Sequence, residues 1–510
     1  MPISTVALLL AIFCFSPSQS SDECKFHDPV NGTHGVGLFS KGFCHFLAIP
    51  YAQPPVGMRQ FRVAQGTDLH DYPTKLWNFT VRSENCIQYD FERNSLAGSE
   101  DCLYLNVYTK PWSHQLKPVV VWIHGGTFNF GSGFSDLAEF PDLLVSNNIT
   151  VVTINYRLGP LGFLYREGED LTRNAGLKDQ QEALRWIQRN IVHFGGDPTR
   201  VTLMGWSAGG AAVSYHLYDP TSEGLFSAAI IMSGTFLNPW AYSPSTEICL
   251  STMCNQMQIS CKNSGHLRET LTQAKIEQNQ PLYTLIAFFG MRYPCFVPSG
   301  LPPQFLIKTK PPMDVPLLIG FTSQETLKQI KLNYMENTLS NYVFPNPSQL
   351  HAIEDFVRTR LNESTLSDVL VASDLIYGVV KFSEEYAKKT ISDTFLYKFS
   401  VGDANHGDEL PFIFRDSANL EKMNEKYETT KEDLAASARI VQLWSNFIKF
   451  KNPTPTPEPL NIQWKPFTFK DRTYLNIDHQ LMMELFKEDA AFIMWDGIYQ
   501  CLYYSNCTNA

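Results

Sequence analysis

The sequence lacks any block of clustered lysine and arginine. Its 41 basic and 51 acidic residues give a formal net charge of −10, and both signs are spread along the 510-residue chain. Because nucleic acid binding needs clustered cations that neutralise phosphates, this distribution argues against nucleic acid as the main partner. Hydrophobic residues make up 44% of the chain, which is typical of a globular protein with a large core.

Long apolar runs are also missing. Beyond the N-terminus no run reaches the 18 apolar residues that a membrane-spanning helix requires, so no membrane span is expected. The first residues contain a ten-residue apolar core, Val6 to Phe15, followed by the small-x-small cleavage site Ser18-Gln19-Ser20. Although no lysine or arginine precedes that core, we interpret residues 1–20 as a secretory signal peptide, with a buried N-terminal helix as the alternative.

The sequence contains no HExxH motif and no paired CxxC motifs, so we expect neither a metal ion nor an organic cofactor. Removal of the signal peptide would take Cys14 and leave ten of the 11 cysteines, an even number that suits an oxidising compartment. Five Asn-x-Ser/Thr sequons can be used only in a secreted chain; they begin at Asn31, Asn78, Asn148, Asn362 and Asn506. These features predict a secreted, extracellular glycoprotein.

Six apolar runs predict strands that are buried on both faces, because none of them alternates with polar residues. They are Pro118–Ile123, Ile149–Tyr156, Arg200–Gly205, Ala228–Gly234, Val315–Gly320 and Phe395–Ser400. Between two of them, Leu177, Leu184, Ile187 and Ile191 share one face of a helix that ends near Gly195. The alternation predicts an α/β fold with a large, mostly parallel central sheet and helices on both faces.

The length of the chain would favour three or four domains, yet the sequence has no internal repeat and no linker. The nearest candidate for a linker is the proline-rich stretch Asn452–Pro459, which is too short to separate domains. We therefore expect residues 21–510 to form a single α/β domain with long insertions.

The stretch Leu203–Gly210 reads LMGWSAGG and places Ser207 in a G-x-S-x-G pattern directly after a predicted strand. Small residues around a serine permit a strained turn from strand to helix that presents the hydroxyl at the carboxyl edge of the sheet. The short pattern is common, and a polar turn residue is the alternative interpretation. The other parts of an acyl-transfer site must therefore decide between them.

A nucleophilic serine needs a base and an acid, which in this fold follow it in the order acid, then histidine. His406 lies in a polar loop after a predicted strand, whereas His216 falls on the helix after the serine and is expected to be a packing or surface residue. Glu325, five residues beyond the glycine that ends Val315–Gly320, is the candidate acid that would orient the imidazole. Taken singly, His406 could be a solvated loop residue and Glu325 a helix-capping residue.

The stretch Trp122–Phe128 reads WIHGGTF and follows an early strand, where an HGGG-type loop supplies backbone N–H groups to an oxyanion. The loop contains Gly125, Gly126 and Thr127. The N–H groups of Gly126, Thr127 and Ala208 are the candidate donors, and each can stabilise the transition state by roughly 3 kcal/mol. Nucleophile, acid, base and oxyanion loop thus occur in the order that acyl transfer requires.

Ordered blocks recur along nearly the whole chain: AIPYAQPPVG, SEDCLYLNVY, VVWIHGGTF, NYRLGPLGF, GLKDQQEALRWIQRNIVHFGGDPTRVTLMGWSAGG, IGFTSQE, NHGDELPF and LWSNFIKFKNP. They resemble the type-B carboxylesterase/lipase family, the cholinesterase-like serine esterases of the α/β-hydrolase fold. The resemblance implies that fold and places Ser207, Glu325 and His406 on the catalytic triad of the family. It also implies a Cys86–Cys102 disulfide, worth about 3 kcal/mol in the chain-entropy model.

The other cysteine pairs stay open. Cys254 and Cys261 are candidates for a second bridge, although Cys249 is near enough to compete. The remaining cysteines offer two short loops and one residue without an assigned partner: Cys24–Cys44, Cys501–Cys507 and Cys295.

Four departures from the family pattern bear on activity. Thr127 stands where the family usually has a third loop glycine, so we expect a restricted site or lowered activity. Trp206 replaces the acidic residue that often precedes the family serine, which removes a negative charge from the pocket wall. Arg59 is shifted by one position, which puts a buried pair with Glu100 in doubt. Residues 86–102 contain no tryptophan to hold a quaternary ammonium, so acetylcholine is not expected as the preferred substrate.

Together these features predict a secreted serine carboxylic-ester hydrolase that acts on a small-molecule ester through an acyl-enzyme on Ser207. Two alternatives remain: a non-catalytic adhesion protein that keeps the fold, and a sequestering protein that acylates once and hydrolyses slowly. The complete triad argues against the first, and a burst without turnover would indicate the second. The sequence identifies neither the ester nor the oligomeric state.

Overall fold

The computed structural model describes residues 23–28, 32–71, 76–90, 95–111, 115–134, 141–243, 296–325, 366–414 and 430–489, with a few single positions outside these ranges. The predicted signal peptide at residues 1–20 lies outside them. Within the described ranges, strands and helices alternate along the chain. This alternation confirms the α/β class predicted from the apolar runs.

Most of the described strands build one central sheet of 13 strands. In chain order the strands are β1 Glu23–Asp28, β2 Thr33–Ser40, β3 Phe43–Pro50, β4 Leu76–Phe79, β5 Gln88–Asp90, β6 Ser95–Ala97, β7 Tyr104–Thr109, β8 Lys117–Ile123, β9 Thr150–Ile154, β10 Gly196–Trp206, β11 Ala228–Met232, β12 Leu317–Thr322, β13 Thr394–Phe399, β14 Thr473–Ile477 and β15 Leu481–Leu485. Their order in the sheet is β1-β2-β3-β7-β9-β8-β10-β11-β12-β13-β14-β15, with β4 beside β2, while β5 and β6 pair separately.

The centre of the sheet is parallel and its margins are largely antiparallel. Neighbouring strands from β9 through β8, β10, β11, β12 and β13 to β14 all run in the same direction. Strands β7, β3, β2 and β1 at one margin and β15 at the other pair antiparallel. Because the carboxyl ends of parallel strands share one edge, the segments that follow β8, β10, β12 and β13 meet there. These four segments carry the predicted oxyanion loop, serine, acid and base.

Helices cover both faces of the sheet. The described α-helices are α1 Asp142–Ser146, α2 Gly159–Phe163, α3 Ala175–Asn190, α4 Ala208–Leu217, α5 Pro303–Thr309, α6 Leu366–Ala387, α7 Leu410–Phe414 and α8 Lys431–Phe450. Apolar residues of α3, α4 and α6 join one core, and those of α1, α7 and α8 join the other. Strand β8 contributes Val119, Val121 and Ile123 to the first core and Val120 and Trp122 to the second. A strand buried on both faces needs an apolar residue at every position, which explains the runs without alternation.

Element ends differ from the predicted ends by a few residues. Helix α3 ends at Asn190, a short 3₁₀ turn follows, and Gly195 closes it with φ 76°, a conformation that glycine adopts without steric cost. Strand β10 begins at Gly196 rather than at Arg200, because Gly196 pairs with Lys117 of β8 beyond an irregularity in the register.

Disulfides tie down the N-terminal part of the fold. The bonds Cys24–Cys44, between β1 and β3, and Cys86–Cys102 are both present. Cys254 is also disulfide-bonded, whereas its predicted partner Cys261 lies outside the described residues, as does the pair Cys501–Cys507. In the part of the chain that the structure describes, no helix is both long and apolar enough to cross a membrane.

Candidate active site

Ser207 occupies the sharp corner between β10 and α4. Its backbone has φ 56° and ψ −121°, a region that residues with side chains rarely adopt. Its N–H donates to the carbonyl oxygen of Met232 on β11 at 2.8 Å, which holds the corner against the sheet. The chain therefore turns abruptly from strand to helix and leaves Ser207 at the carboxyl edge of the sheet, with 7% of the residue exposed.

Two glycines make this corner sterically possible. A Cβ atom on Gly205 would lie 2.3 Å from the carbonyl oxygen of Gly209, and a Cβ atom on Gly209 would lie 2.0 Å from that of Ile123. No side chain fits at either position without moving the backbone. The G-x-S-x-G pattern is thus required by the close packing of the start of α4 against the ends of β10 and β8.

The loop after β8 lies directly against the serine corner. A Cβ atom added to Gly125 would approach the indole ring of Trp206 to 2.6 Å. Within the described ranges, the N–H groups of Gly126, Thr127 and Ala208 donate to no other residue. Three backbone donors of this loop and of the first turn of α4 therefore have no hydrogen-bond partner among the described residues.

Thr127 has a strained backbone. Its φ of 53° lies in the left-handed region, which costs a residue with a Cβ atom about 1–2 kcal/mol and is least suited to β-branched side chains. The carbonyl oxygen of Thr127 accepts a hydrogen bond from the side chain of Asn129 at 2.7 Å, which helps to hold the loop in this conformation. A glycine at this position would adopt the same φ without cost.

Glu325 and His406 form a buried acid–base pair. Nδ1 of His406 donates to Oε2 of Glu325 at 2.6 Å, and the two side chains are 5% and 0% exposed. The other carboxylate oxygen accepts the backbone N–H of Thr322 at 2.8 Å. Because both oxygens are engaged, the carboxylate is fixed in place and holds the imidazole in the tautomer that has its hydrogen on Nδ1 and the lone pair on Nε2.

Trp206 connects the serine corner to this pair. Its indole ring and the imidazole ring of His406 have centroids 4.8 Å apart and planes inclined by 33°. Among the described residues, no hydrogen bond joins the hydroxyl of Ser207 to His406. Catalytic hydrogen bonds of this kind are often long until substrate binds. The structure thus brings Glu325 and His406 into direct contact, and Trp206, the chain neighbour of Ser207, packs against the imidazole.

A second buried carboxyl group, that of Glu409, lies beside the pair. The hydroxyl of Ser233 donates to Oε1 of Glu409 at 3.4 Å, and the residue is 1% exposed. Burial raises the pKa of Glu409 well above its usual range, and the nearby charge of Glu325 raises it further. Nothing in the sequence points to Glu409 as part of the site except its place three residues after His406.

Two other histidines near the site are buried structural residues. Nε2 of His216 contacts the side-chain oxygen of Gln180 at 2.8 Å, and burial lowers the pKa of His216 to about 4. His124 stacks on Tyr156 with ring centroids 4.4 Å apart, and burial lowers its pKa to about 4 as well. Both are therefore neutral near pH 7, and His216 packs in the core rather than at the surface.

Gln60, rather than Arg59, contacts Glu100. Nε2 of Gln60 donates to Oε2 of Glu100 at 2.7 Å, and both residues are buried. The guanidinium of Arg59 instead donates to the carbonyl oxygen of Pro54 at 2.8 Å. The doubt about a buried Arg59–Glu100 pair is therefore justified: Glu100 contacts the neutral amide of Gln60.

Two of the five predicted glycosylation sites lie in the described ranges, and both are exposed. The side-chain oxygen of Asn78 accepts a hydrogen bond from the hydroxyl of Thr80 at 2.6 Å. Asn148 follows α1 with φ 59°. The other predicted sites lie outside the described residues: Asn31, Asn362 and Asn506.

Comparison with known proteins agrees with this geometry. The sequence model described as "Carboxylesterase family" matches residues 29–495. Esterase FE4 of Myzus persicae is 30% identical over 98% of this chain and 97% of its own length. Para-nitrobenzyl esterase of Bacillus subtilis (strain 168) is 31% identical over 88% of this chain and 94% of its own. Pyrethroid hydrolase Ces2e of Rattus norvegicus is 30% identical over 92% and 89%, respectively.

Solved structures give the same result for the fold. A thermophilic PNB esterase superposes with a TM-score of 0.75 at 27% identity, and the match covers 93% of this chain and all of that one, 100%. A second PNB esterase structure superposes equally well, with a TM-score of 0.75. Because the family model and the relatives each cover most of the chain, this protein belongs to the carboxylesterase family of ester hydrolases and has the α/β-hydrolase fold.

Proposed function

We propose that this chain hydrolyses carboxylic esters through an acyl-enzyme on Ser207, with His406 as the base and Glu325 as the acid that orients it. The observation that carries the proposal is the 2.6 Å hydrogen bond between buried His406 and Glu325, beside the strained corner that presents Ser207. Membership of the carboxylesterase family supports the same class of reaction.

The geometry suggests the following sequence of steps. The hydroxyl oxygen of Ser207 attacks the ester carbonyl carbon while Nε2 of His406 takes the hydroxyl proton. The carboxylate of Glu325 stabilises the imidazolium that results. His406 then gives the proton to the departing alcohol, and a water activated by the same nitrogen hydrolyses the acyl-enzyme to the carboxylic acid.

The tetrahedral intermediates carry a negative charge on the former carbonyl oxygen. We assign its stabilisation to the N–H groups of Gly126, Thr127 and Ala208, with Gly125 as the residue that seats the loop against Trp206. The N–H of Ala208 lies at the start of α4, where the helix dipole also favours negative charge. No step requires a metal ion or an organic cofactor.

Hydrolysis of p-nitrophenyl esters of increasing acyl length tests the proposal. The wild-type protein should release p-nitrophenol, and Ser207→Ala should lower kcat by about 10⁴-fold or more. Ser227→Ala is the matched control, because the hydroxyl of this half-buried serine donates to the carbonyl oxygen of Val201 and takes no part in the proposed steps. Equal hydrolysis by the wild type and Ser207→Ala would refute the proposal.

A sequestering protein that deacylates slowly is the second candidate, and the strained threonine in the oxyanion loop favours it. Pre-steady-state kinetics distinguish the two. A burst of about one equivalent of p-nitrophenol followed by sustained release supports the hydrolase. A burst followed by almost no release supports sequestration.

We also propose that the chain is secreted after removal of residues 1–20. The disulfides Cys24–Cys44 and Cys86–Cys102 and the exposed sequons at Asn78 and Asn148 support an oxidising, glycosylating route. In eukaryotic cells the protein should be recovered from the medium with Ser21 as its first residue, and removal of N-glycans should lower its mass. Retention in the cell with residues 1–20 still attached would contradict secretion.

A further inference from the structure

The side chain of Trp206, the residue before the nucleophile, lies against two loops of the site: the oxyanion loop and the loop that carries His406. The indole ring of Trp206 lies with its centroid 4.8 Å from that of the His406 imidazole. A Cβ atom on Gly125 would come within 2.6 Å of the indole, and one on Gly407 within 2.7 Å. Trp206 is therefore half-buried between the oxyanion loop and the loop that carries the base, and only glycines at these two positions leave room for it.

Among the described residues, few negative charges surround His406, so the face of the Trp206 indole ring is an important part of the environment of the imidazole. In the described part of the chain, Glu325 is the single carboxylate in ion-pair contact with the imidazole. Glu409 lies close by, but burial raises its pKa and favours its neutral form, and the same is true of the phenol of Tyr397. Asp408, on the same loop, accepts hydrogen bonds within that loop. The imidazolium formed during catalysis thus meets one anion at Nδ1 and an aromatic ring on its face.

We propose that Trp206 stabilises the imidazolium form of His406 through its π face. This inference rests on the proposed function, since the imidazolium of the reaction forms when His406 takes the proton of Ser207. A cation within about 6 Å of the centroid of a tryptophan ring is attracted by the ring quadrupole, most strongly where water is excluded. Trp206 is a positioning residue, because it acts on His406 and not on the reacting atoms.

The matched pair Trp206→Glu and Trp206→Gln separates electrostatics from packing, because the two side chains have nearly the same shape and differ in charge. Trp206→Gln removes the aromatic face and should lower kcat/KM by about tenfold to thirtyfold, the rate equivalent of a desolvated cation–π contact. Trp206→Glu supplies an anion instead and should recover most of that loss. Trp206→Phe keeps an aromatic face and should stay within about threefold of the wild type.

The pH dependence of kcat/KM gives a readout that lost packing alone would not change. A stabilised imidazolium keeps its proton to higher pH, so activity falls at a higher pH when the solution is acidified. In Trp206→Gln the acid limb of the profile should move to lower pH by up to about one unit. In Trp206→Glu the limb should lie at higher pH than in Trp206→Gln.

The inference would be overturned if Trp206→Gln kept the kcat/KM and the acid limb of the wild type, or if the Glu and Gln variants had equal kcat/KM values and equal acid limbs. If that pair does not fold, Trp206→Phe against Trp206→Leu compares an aromatic with an aliphatic side chain, and equal acid limbs in these two variants also overturn the inference. If hydrolysis depends on Ser207 but the Trp206→Glu and Trp206→Gln variants have the same kcat/KM and the same acid limb, this inference alone has failed. Hydrolysis that is unaffected by Ser207→Ala means that the proposed function has failed, and the inference with it.

Discussion

The two halves of the site are held in place by different means. In the acid–base half, Glu325 and His406 are joined side chain to side chain at 2.6 Å in a buried setting. In the serine half, Ser207 and Thr127 are placed by backbone geometry, with φ values of 56° and 53°, and by close packing at Gly209. The first half therefore depends on the identity of two titratable side chains, whereas the second depends on the absence of bulk around the main chain.

The largest effect is expected from a change of charge in the acid–base half. Glu325→Gln keeps an oxygen for the N–H of Thr322 but loses the negative charge that stabilises the imidazolium and fixes its tautomer. We expect kcat for p-nitrophenyl esters to fall by about 10³-fold to 10⁴-fold with the fold retained. Steady-state kinetics together with a thermal melt measure both quantities. A loss of less than about tenfold would place the orienting acid elsewhere.

Adding a side-chain atom in the serine half should lower the stability of the folded protein. Gly209→Ala puts a Cβ atom 2.0 Å from the carbonyl oxygen of Ile123, so the free energy of unfolding should drop by about 3 kcal/mol or more. Urea denaturation measures it. Gly168→Ala is the control, because an added Cβ there meets nothing within 4 Å and only the cost of its φ of 78°, about 1 kcal/mol, applies. Equal losses in both variants would remove the packing argument for the corner.

Glu409 extends the comparison to pH. Its pKa in the folded state is raised above the usual 4.5, so between pH 4.5 and the folded-state pKa the folded protein holds a proton that the unfolded chain releases. The contribution of Glu409 to stability therefore falls as the pH rises through this window. Glu409→Gln should be more stable than the wild type at pH 8 and should show no such gain near pH 4. Urea denaturation at both pH values tests this, and a gain that is the same at both would contradict it.

The smallest effect is expected at Thr127. Thr127→Gly relieves the strain at φ 53° but adds freedom to the unfolded chain, so the net gain in stability should stay below about 1 kcal/mol. Hydrolysis of bulky acyl esters should rise by about threefold to tenfold relative to acetate esters, because the β-branched side chain is gone. Thr127→Ser keeps the Cβ atom and the strain and separates the two effects. Unchanged turnover of bulky esters in Thr127→Gly would end the idea of a restricted site.

The sequence predicted the fold well where local rules decide it. Runs without polar alternation, such as Val315–Gly320, indicated strands buried on both faces, and Gly195 closes the 3₁₀ turn that follows α3. The glycines around Ser207 were informative because the corner excludes any side chain there. The family and fold expected from the ordered blocks are confirmed, while the roles of Ser207, Glu325 and His406 stay predictions.

Other features of the site could not be predicted from the sequence, because they depend on contacts between distant residues. Glu325 and His406 are 81 positions apart, and only their order in the chain and the family resemblance suggested that they meet. The burial of Glu409 beside them and the contact of Gln60 with Glu100 arise from tertiary packing and have no local signal. The sequence showed that a threonine stands at position 127, but its backbone strain could not be predicted, because φ is set by the geometry of the whole loop.

Peptide mass spectrometry of acid-quenched protein tests the central claim most directly. The protein is mixed with a slowly hydrolysed p-nitrophenyl ester and quenched during the burst, and the acyl group is then located along the chain. The account predicts one acyl group on Ser207, absent from Ser207→Ala and strongly reduced in His406→Ala. An acyl group on another residue, or a burst of p-nitrophenol without acylation of Ser207, would contradict it.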